Sequence, residues 1–275
     1  MALLEERGPD ARLLAGGHSL LPMMKLRLAS PEYVIDIDPL ADALGYIRPR
    51  GDEVRIGAMT RHNALLESAF LERELAIFTD AERVIADPVV RNRGTIGGAL
   101  CQADPSEDLS AVCAAVKARM VIRGTASERV VDMHAFHQGP YATAVGPAEM
   151  LVEIRVALTA ATGSAYLKVD RRVGDWAVVA AGASIELGAG GRIAGAGLAL
   201  AAVGGDITVP EAEAALIGEP PSDALFERAA ALARSACRPT TDQRGSADYK
   251  RHVAGVLTER VLRRASERAL PMKEE

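Results

Sequence analysis

The fold of this protein depends on two adjoining stretches, RGTIGGA at residues 93–99 and QADPSED at residues 102–108. Three glycines among five residues leave the first stretch bare, so its N–H groups can approach a ligand closely and positive φ carries no steric cost. Asp104 followed by Pro105 is typical of a helix N-cap with proline at the first helical position. The two stretches therefore predict a phosphate-binding loop that precedes a helix from Pro105 to about Val116. A simple hairpin turn also accounts for the glycines when this loop is taken alone.

A second glycine loop lies near the N-terminus, where LLAGGHS occupies residues 13–19. It is a short apolar run that ends in paired glycines, a histidine and a hydroxyl. Two loops with bare amides can together hold both phosphates of a pyrophosphate. Neither loop has the G-x-G-x-x-G or the G-x-x-x-x-G-K-[ST] spacing, so the Rossmann and P-loop types of nucleotide site are excluded.

Several motifs along nearly the whole chain resemble, in the same order, the FAD-binding medium subunit of carbon-monoxide-dehydrogenase-type molybdenum hydroxylases, in the xanthine dehydrogenase group. The matching motifs are AGGHS at 15–19, GGHSLLPMMKLRLASPEYVIDI at 16–37, RNRGTIGGA at 91–99, ADPSEDL at 103–109, YLKVDRRVGDWAVV at 166–179 and DQRGSADYKRHVAGVLTERVL at 242–262. Linked motifs in register are far more specific than either glycine loop. Members of this family usually carry a further strand near the N-terminus, so we expect that the start lies upstream or that this strand is absent.

The resemblance implies an α+β protein with the p-cresol methylhydroxylase-type FAD-binding fold. We expect an FAD-binding domain at residues 1–160, with two α/β subdomains at about 1–40 and 41–160, and a C-terminal flavoprotein domain at 161–275. The alternation over 151–158 predicts a strand with one buried face. In the C-terminal part, strands are predicted at 165–169, 177–187 and 192–203, and helices at 210–217, 222–237 and 246–269. A three-stranded antiparallel sheet covered by helices is therefore expected there.

The resemblance also implies where the cofactor is held. The pyrophosphate of FAD is expected on the two glycine loops, with contacts from Ala15, Gly16, Gly17, His18, Ser19, Leu20, Thr95, Ile96, Gly97, Gly98 and Ala99. His18 is expected to donate a hydrogen bond to a phosphate or flavin oxygen, or else only to bond the loop backbone. The family usually has Asp or Asn where this chain has Ala99, and this difference removes one side-chain hydrogen bond.

Five further residues are expected near the rest of the cofactor, with the C-terminal domain covering the isoalloxazine. Asp104 and Asp108 suit ribose or ribityl hydroxyls, or act as a helix cap and a first-turn charge. Lys168 matches the lysine that approaches the flavin ring, where its charge would stabilise reduced flavin; the alternative is a strand-end lysine in water. Leu151 aligns with an apolar contact to the ring and Ile85 with a position near the adenine, and both suit the core equally well.

No group of side chains in the sequence stands out as catalytic or as a metal site. The five histidines form no H-E-x-x-H and the three cysteines form no C-x-x-C. A general base is not needed where a bound cofactor does the chemistry. The net charge of -5 argues against nucleic-acid binding. The cysteine usage favours a reducing cytoplasm, and contact with a membrane is expected only through a partner.

The resemblance implies an oxidoreductase subunit that works beside a large molybdopterin subunit and a small subunit with two [2Fe–2S] clusters, as a dimer of heterotrimers. Electrons from substrate oxidation at molybdenum are expected to pass through the clusters to FAD and then to an external acceptor. Two alternatives stay open. One is a self-sufficient FAD-dependent reductase or oxidase of the same fold, which would turn over alone. The other is a flavin-free assembly subunit.

Overall fold

The computed structural model describes residues 1–159 and 161–270, which form two compact units. Unit 1 comprises Met1–Leu65, Asp87–Asp104 and Ala118–Ala157, and unit 2 comprises Leu66–Ala86, Pro105–Lys117 and the described residues from Leu158 onward. Each unit is therefore assembled from separated parts of the sequence.

The elements are numbered here in chain order. The strands are β1 Ala11–Leu14, β2 Tyr33–Asp36, β3 Ile47–Arg50, β4 Glu53–Gly57, β5 Arg119–Arg123, β6 Glu128–Asp132, β7 His137–Gly139, β8 Ala142–Thr143, β9 Met150–Ala157, β10 Thr162–Val169, β11 Val179–Leu187 and β12 Ile193–Ala201. The helices are α1 Ala2–Arg7, α2 Leu20–Lys25, α3 Ala41–Leu44, α4 His62–Leu66, α5 Ala69–Glu74, α6 Ala76–Glu82, α7 Pro88–Arg91, α8 Ile96–Gln102, α9 Leu109–Ala115, α10 Met133–Phe136, α11 Pro210–Leu216, α12 Asp223–Ala236 and α13 Ala247–Ala269.

Unit 1 contains a parallel pair of strands and a larger antiparallel sheet. In the parallel pair, β1 runs beside β2 with Leu14 opposite Asp36. The antiparallel sheet has the strand order β3-β4-β9-β5-β6. The N-terminal glycine loop, residues 15–20, follows β1 and is called the first loop from here on. The parallel pair therefore sets the position of that loop.

Strand β9 runs through the middle of the five-stranded sheet and is buried on both faces, which corrects the prediction of one buried face. Glu153, on the face expected to meet solvent, is only 8% exposed. Its carboxylate accepts hydrogen bonds from the hydroxyl of Tyr46 and from Nε of Arg155, each at 2.6 Å. Alternation of residue types identified the strand correctly, but these neighbours cover its polar side.

Unit 2 is built on an antiparallel sheet of three strands with the order β10-β11-β12. Helix α13 lies directly against β10, because a Cβ placed on Gly163 would be 2.0 Å from the carbonyl oxygen of Ala265. Ser222 and Ser246 cap α12 and α13, each accepting a hydrogen bond from the backbone N–H three residues later. The predicted three-stranded sheet covered by helices is confirmed, with element ends that differ by a few residues.

A short helix packs on the third strand of the same sheet. A Cβ on Gly197 of β12 would lie 1.9 Å from the carbonyl oxygen of Ala115 in α9, and the hydroxyl of Ser184 donates to that oxygen at 2.6 Å. The core of unit 2 is mainly aliphatic and includes Ala181, Ala183, Ile185, Leu198, Leu257, Val261 and Leu262. Full burial of one such large aliphatic side chain contributes about 1.5–3 kcal/mol.

Candidate cofactor site

The first loop, residues 15–20, connects β1 to α2 in unit 1. Gly17 has a φ of 81°, which an L side chain rarely adopts. The amides of the five residues from Gly16 to Leu20 donate no hydrogen bond to any protein acceptor within residues 1–159 and 161–270. Consecutive open N–H groups form the kind of donor set that binds an anionic group such as a phosphate.

The glycine stretch, residues 93–99, is a helix start rather than the open loop that its composition predicts. Thr95 is the N-cap of α8, and its Oγ1 accepts a hydrogen bond from Gly98 N at 3.1 Å. Gly97 N donates to Ala58 O at 2.8 Å, and a Cβ on Gly97 would lie 2.6 Å from the same oxygen. Close packing therefore requires glycine at a helical position where it is otherwise unfavourable. Along this stretch, only the N–H of Thr95 has no acceptor in the described part of the chain.

The first loop and the glycine stretch touch each other within unit 1. A Cβ on Gly16 would lie 2.3 Å from Arg93 O and 2.6 Å from the Cα of Gly94. A Cβ on Gly98 would be 3.9 Å from the Cβ of Ala15. Glycine is the one residue that fits at position 16, so the open amides of the first loop lie beside the start of α8.

His18 lies at the exposed middle of the first loop. Its imidazole makes no hydrogen bond with another residue of the described chain, so the alternative role of bonding the loop backbone is not observed. The exposed ring keeps both nitrogens accessible to a ligand. A contact between His18 and the cofactor stays a prediction.

Asp104 is not the helix cap that its position before proline predicts. Helix α8 ends at Gln102, and Ala103 follows in the left-handed conformation with a φ of 48°. The carboxylate of Asp104 accepts a hydrogen bond from the hydroxyl of Tyr141 at 3.0 Å. Burial and this hydrogen bond raise the pKa of Tyr141. Helix α9 starts only at Leu109, so the predicted helix from Pro105 is wrong by four residues at its start.

In unit 2, Asp108 and Lys168 form a buried ion pair. Lys168 Nζ lies 3.0 Å from Oδ2 of Asp108, and the two side chains are 1% and 7% exposed. The hydroxyl of Tyr166 donates to Oδ1 of the same carboxylate at 2.6 Å. Burial, followed by the charge of Asp108, raises the pKa of Tyr166 well above its usual value. Lys168 is therefore not the water-exposed lysine of the alternative interpretation, and its role toward flavin stays a prediction.

Glu107 is a functional capping residue that the sequence reasoning missed. Its carboxylate accepts hydrogen bonds from Leu109 N at 2.8 Å and Ser110 N at 2.6 Å, so this side chain closes the start of α9. Burial raises the pKa of Glu107 to about 7, against the two backbone donors that favour its ionised form. The sequence shows the two carboxylates of Glu107 and Asp108 directly before Leu109. The cap was nevertheless predicted at Asp104, because Asp104 precedes Pro105 and this pair is typical of a helix start.

The two apolar site residues are both buried. Leu151 belongs to β9 in unit 1 and is 3% exposed, and Ile85 follows α6 in unit 2 and is 9% exposed. Gly174, with a φ of 80°, packs against the backbone after Ile85, because its Cβ would be 2.5 Å from Ala86 O. Burial fits a core role for both side chains, and their contacts with FAD stay predictions.

The open amides of the first loop beside the α8 start form a site suited to an anionic group, and comparison with known proteins identifies the chain as an FAD-binding subunit of an oxidoreductase. The chain belongs to the family described as the FAD binding domain in molybdopterin dehydrogenase, whose model matches residues 1–158. Residues 164–265 match the CO dehydrogenase flavoprotein C-terminal domain. The family resemblance and the fold class predicted from the sequence are confirmed.

Relatives with known functions resemble nearly the whole chain. The carbon monoxide dehydrogenase medium chain of Hydrogenophaga pseudoflava is 42% identical, over 96% of this chain and 92% of the relative. The corresponding chain of Afipia carboxidovorans is 39% identical, over 98% and 93%. Among solved structures, carbon monoxide dehydrogenase from Hydrogenophaga pseudoflava superposes with a TM-score of 0.92 at 43% identity, covering 97% of this chain and 93% of that chain. This chain is therefore similar to medium chains of molybdenum hydroxylases.

Membrane-spanning helices and metal-binding clusters are absent from the described residues. None of the helices formed by residues 1–159 and 161–270 is long and apolar enough to cross a membrane. Over the same ranges, no group of three or more His, Cys, Asp or Glu side chains is arranged to hold a metal ion. Cys101, Cys113 and Cys237 are free thiols.

Proposed function

We propose that this protein is the FAD-carrying electron-transfer subunit of a molybdenum hydroxylase complex of the carbon monoxide dehydrogenase and xanthine dehydrogenase type. The observation that carries the proposal is the run of open amides from Gly16 to Leu20, whose first residue packs against Arg93 and Gly94. This arrangement supplies N–H donors without protein acceptors beside a helix start, and its close contact leaves no space for a side chain. These are the properties that a diphosphate requires of its site.

The residues of the first loop would hold the diphosphate of FAD, together with the N–H of Thr95 and the exposed imidazole of His18. Asp108 and Lys168 would act toward the ribityl and ring portions, as the family resemblance implies. Bound FAD supplies the redox chemistry, accepting electrons one or two at a time. The protein binds and orients the cofactor, and its fixed charges tune it.

The partners follow from the same family assignment. We propose a large subunit that holds molybdopterin and oxidises the substrate, and a small subunit whose [2Fe–2S] clusters deliver electrons to this FAD. The complex would be a dimer of heterotrimers located in the cytoplasm, and an external acceptor would reoxidise the flavin. The FAD-binding domain would extend over residues 1–160 and the C-terminal domain over residues 161–275.

Purification of the chain with and without its partners tests the proposal. The isolated chain should carry flavin absorbance or acquire it on addition of FAD, and the native complex should contain molybdenum and iron in addition. The bound FAD should be reduced by substrate only when the partner subunits are present. A colourless chain that ignores added FAD would refute the cofactor assignment. Turnover of a substrate by the isolated chain would show a self-sufficient reductase or oxidase instead.

A further inference from the structure

One backbone carbonyl, Arg93 O, is shared by the two parts of the candidate diphosphate site. It is the nearest atom to the place where a Cβ on Gly16 would lie, at 2.3 Å. It also accepts a hydrogen bond from Nη1 of Arg61. The position of the Arg93 carbonyl therefore fixes how closely the first loop can approach the glycine stretch, and Arg61 holds that carbonyl.

The other end of the same guanidinium reaches the element that supports the first loop. Nη2 of Arg61 donates to Oδ1 of Asp38, which starts a 3-10 turn directly after β2. The preceding residue is bonded to the strand that enters the loop, since Ile37 N donates to Leu14 O at 3.0 Å. Arg61 thus connects the glycine stretch to the strand pair from which the first loop emerges.

The backbone around Arg61 is itself fixed to the glycine stretch. Arg61 and Thr95 form an isolated antiparallel bridge, and the residues on either side of this bridge exchange hydrogen bonds: Ile96 N donates to Thr60 O at 3.0 Å and His62 N donates to Gly94 O at 3.2 Å. The Arg61 side chain is 21% exposed, so it is held close to the protein. An arginine side chain held in this way can fix the distance between the two elements that it bonds, in addition to neutralising a surface charge.

We propose that Arg61 is a positioning residue which, together with Asp38, sets the spacing between the first loop and the α8 start so that both reach one diphosphate. The inference rests on the proposed function. The planar guanidinium presents its donors in a rigid fork and can serve the Arg93 carbonyl and the Asp38 carboxylate together, whereas an ammonium on a flexible stem cannot. Arg61 itself does not need to touch FAD. It holds the loop in its binding conformation beforehand, so less conformational entropy is lost when FAD binds.

The test compares Arg61→Ala and Arg61→Lys with the matched control Arg119→Ala. Arg119 belongs to the same unit and bonds Glu53 at 2.7 Å, but neither residue belongs to the candidate site. We expect Arg61→Ala to weaken FAD binding about tenfold, the scale of one hydrogen bond to a charged group. Arg61→Lys should give little rescue, and Arg119→Ala should bind FAD like the wild type.

Hydrogen exchange of the FAD-free full-length chain gives a second readout. The protected amides that hold the first loop are Leu21 N on Gly17 O, Met23 N on Ser19 O and Ile37 N on Leu14 O. Exchange at these loop amides should become faster in both Arg61 variants, while exchange in β9 stays at the wild-type rate. A uniform change over unit 1 would indicate general destabilisation and would overturn the positioning role. Asp38→Ala should speed the same loop amides, which keeps the test valid if an Arg61 variant fails to fold.

The failure of this inference can be told apart from failure of the proposed function. If the wild type binds FAD and Arg61→Ala binds it within twofold, the positioning role is wrong and the cofactor assignment stands. If the wild type binds no FAD, the proposed function is wrong. In that case, unchanged loop exchange in the Arg61 variants would also refute the mechanical link itself.

Discussion

Replacing Gly16 by alanine tests the contact on which the candidate site depends. The added Cβ would lie 2.3 Å from Arg93 O and 2.6 Å from the Cα of Gly94, and both neighbours are backbone atoms that no rotamer change can move away. Overpacking of this kind costs about 1–3 kcal/mol. The first loop must then move outward, so we expect FAD affinity to fall by at least about tenfold, which corresponds to about 1.4 kcal/mol.

Gly124→Ala is the matched control for this substitution. Gly124 is also in unit 1, and a Cβ there would meet its nearest atoms at 3.7 Å, an ordinary contact. This control should be neutral or more stable by up to about 1 kcal/mol, because alanine restricts the unfolded chain. Denaturant unfolding and FAD titration of both full-length variants provide the measurements. Equal stability and equal FAD affinity in Gly16→Ala and Gly124→Ala would refute the reasoning.

Three further predictions concern unit 2 and the cofactor. Burial raises the pKa of Glu107 in the folded state from 4.5 to about 7, so the native state binds more protons than the unfolded state. The stability that protonated Glu107 contributes should therefore be lost as the pH rises from about 4.5 to 7. Denaturant unfolding at several pH values should show this loss in the wild type and a smaller one in Glu107→Gln. Lys168→Ala leaves the carboxylate of Asp108 buried without its cation and should lower the free energy of unfolding by about 3–5 kcal/mol. Lys117 is 61% exposed, so the control Lys117→Ala should change the same free energy by no more than about 0.5 kcal/mol. FAD at a hundred times its Kd should raise the free energy of unfolding by about 2.7 kcal/mol, and a thermal melt without this dependence would contradict specific binding.

The C-terminal sheet and its helices were predictable because their signals are local. The strands predicted at 165–169, 177–187 and 192–203 are present, and the helices predicted at 222–237 and 246–269 begin at the serines that cap them. Each of these patterns depends on residues within one or two turns of the chain. Tertiary contacts then reinforced the local preference instead of opposing it.

The errors came from positions where distant residues decide the local conformation. Position 97 is helical, and it must be glycine because Ala58 lies too close for a side chain. The pair Asp104-Pro105 satisfies a local capping pattern, yet Tyr141 engages the aspartate and Glu107 closes the later helix. No pattern in the sequence near Gly97 or Asp104 reveals their contacts with Ala58 and Tyr141, which lie far away along the chain.

The candidate site was likewise predictable only in part. The paired glycines at residues 16 and 17 could be recognised because they belong to a motif of the resemblance, and their close packing and positive φ agree with that interpretation. Arg61 and Tyr166 could not be recognised, since both act through partners far away in sequence: Arg93 O for the first and Asp108 for the second. The roles of Arg61 and Tyr166 depend on side-chain geometry, which cannot be read from residue composition or spacing.

The backbone N–H groups of the two glycine regions differ in whether the protein itself supplies their acceptors, and this difference matters for assembly of the holoprotein. Between Ile96 and Ala99 every N–H is satisfied by the polypeptide itself, whereas the open donors of the first loop lie in a partly exposed segment that water can reach. The newly synthesised chain can therefore satisfy the N–H groups of residues 96–99 by itself, before any cofactor binds. Insertion of the dinucleotide can follow as a separate, later step of assembly.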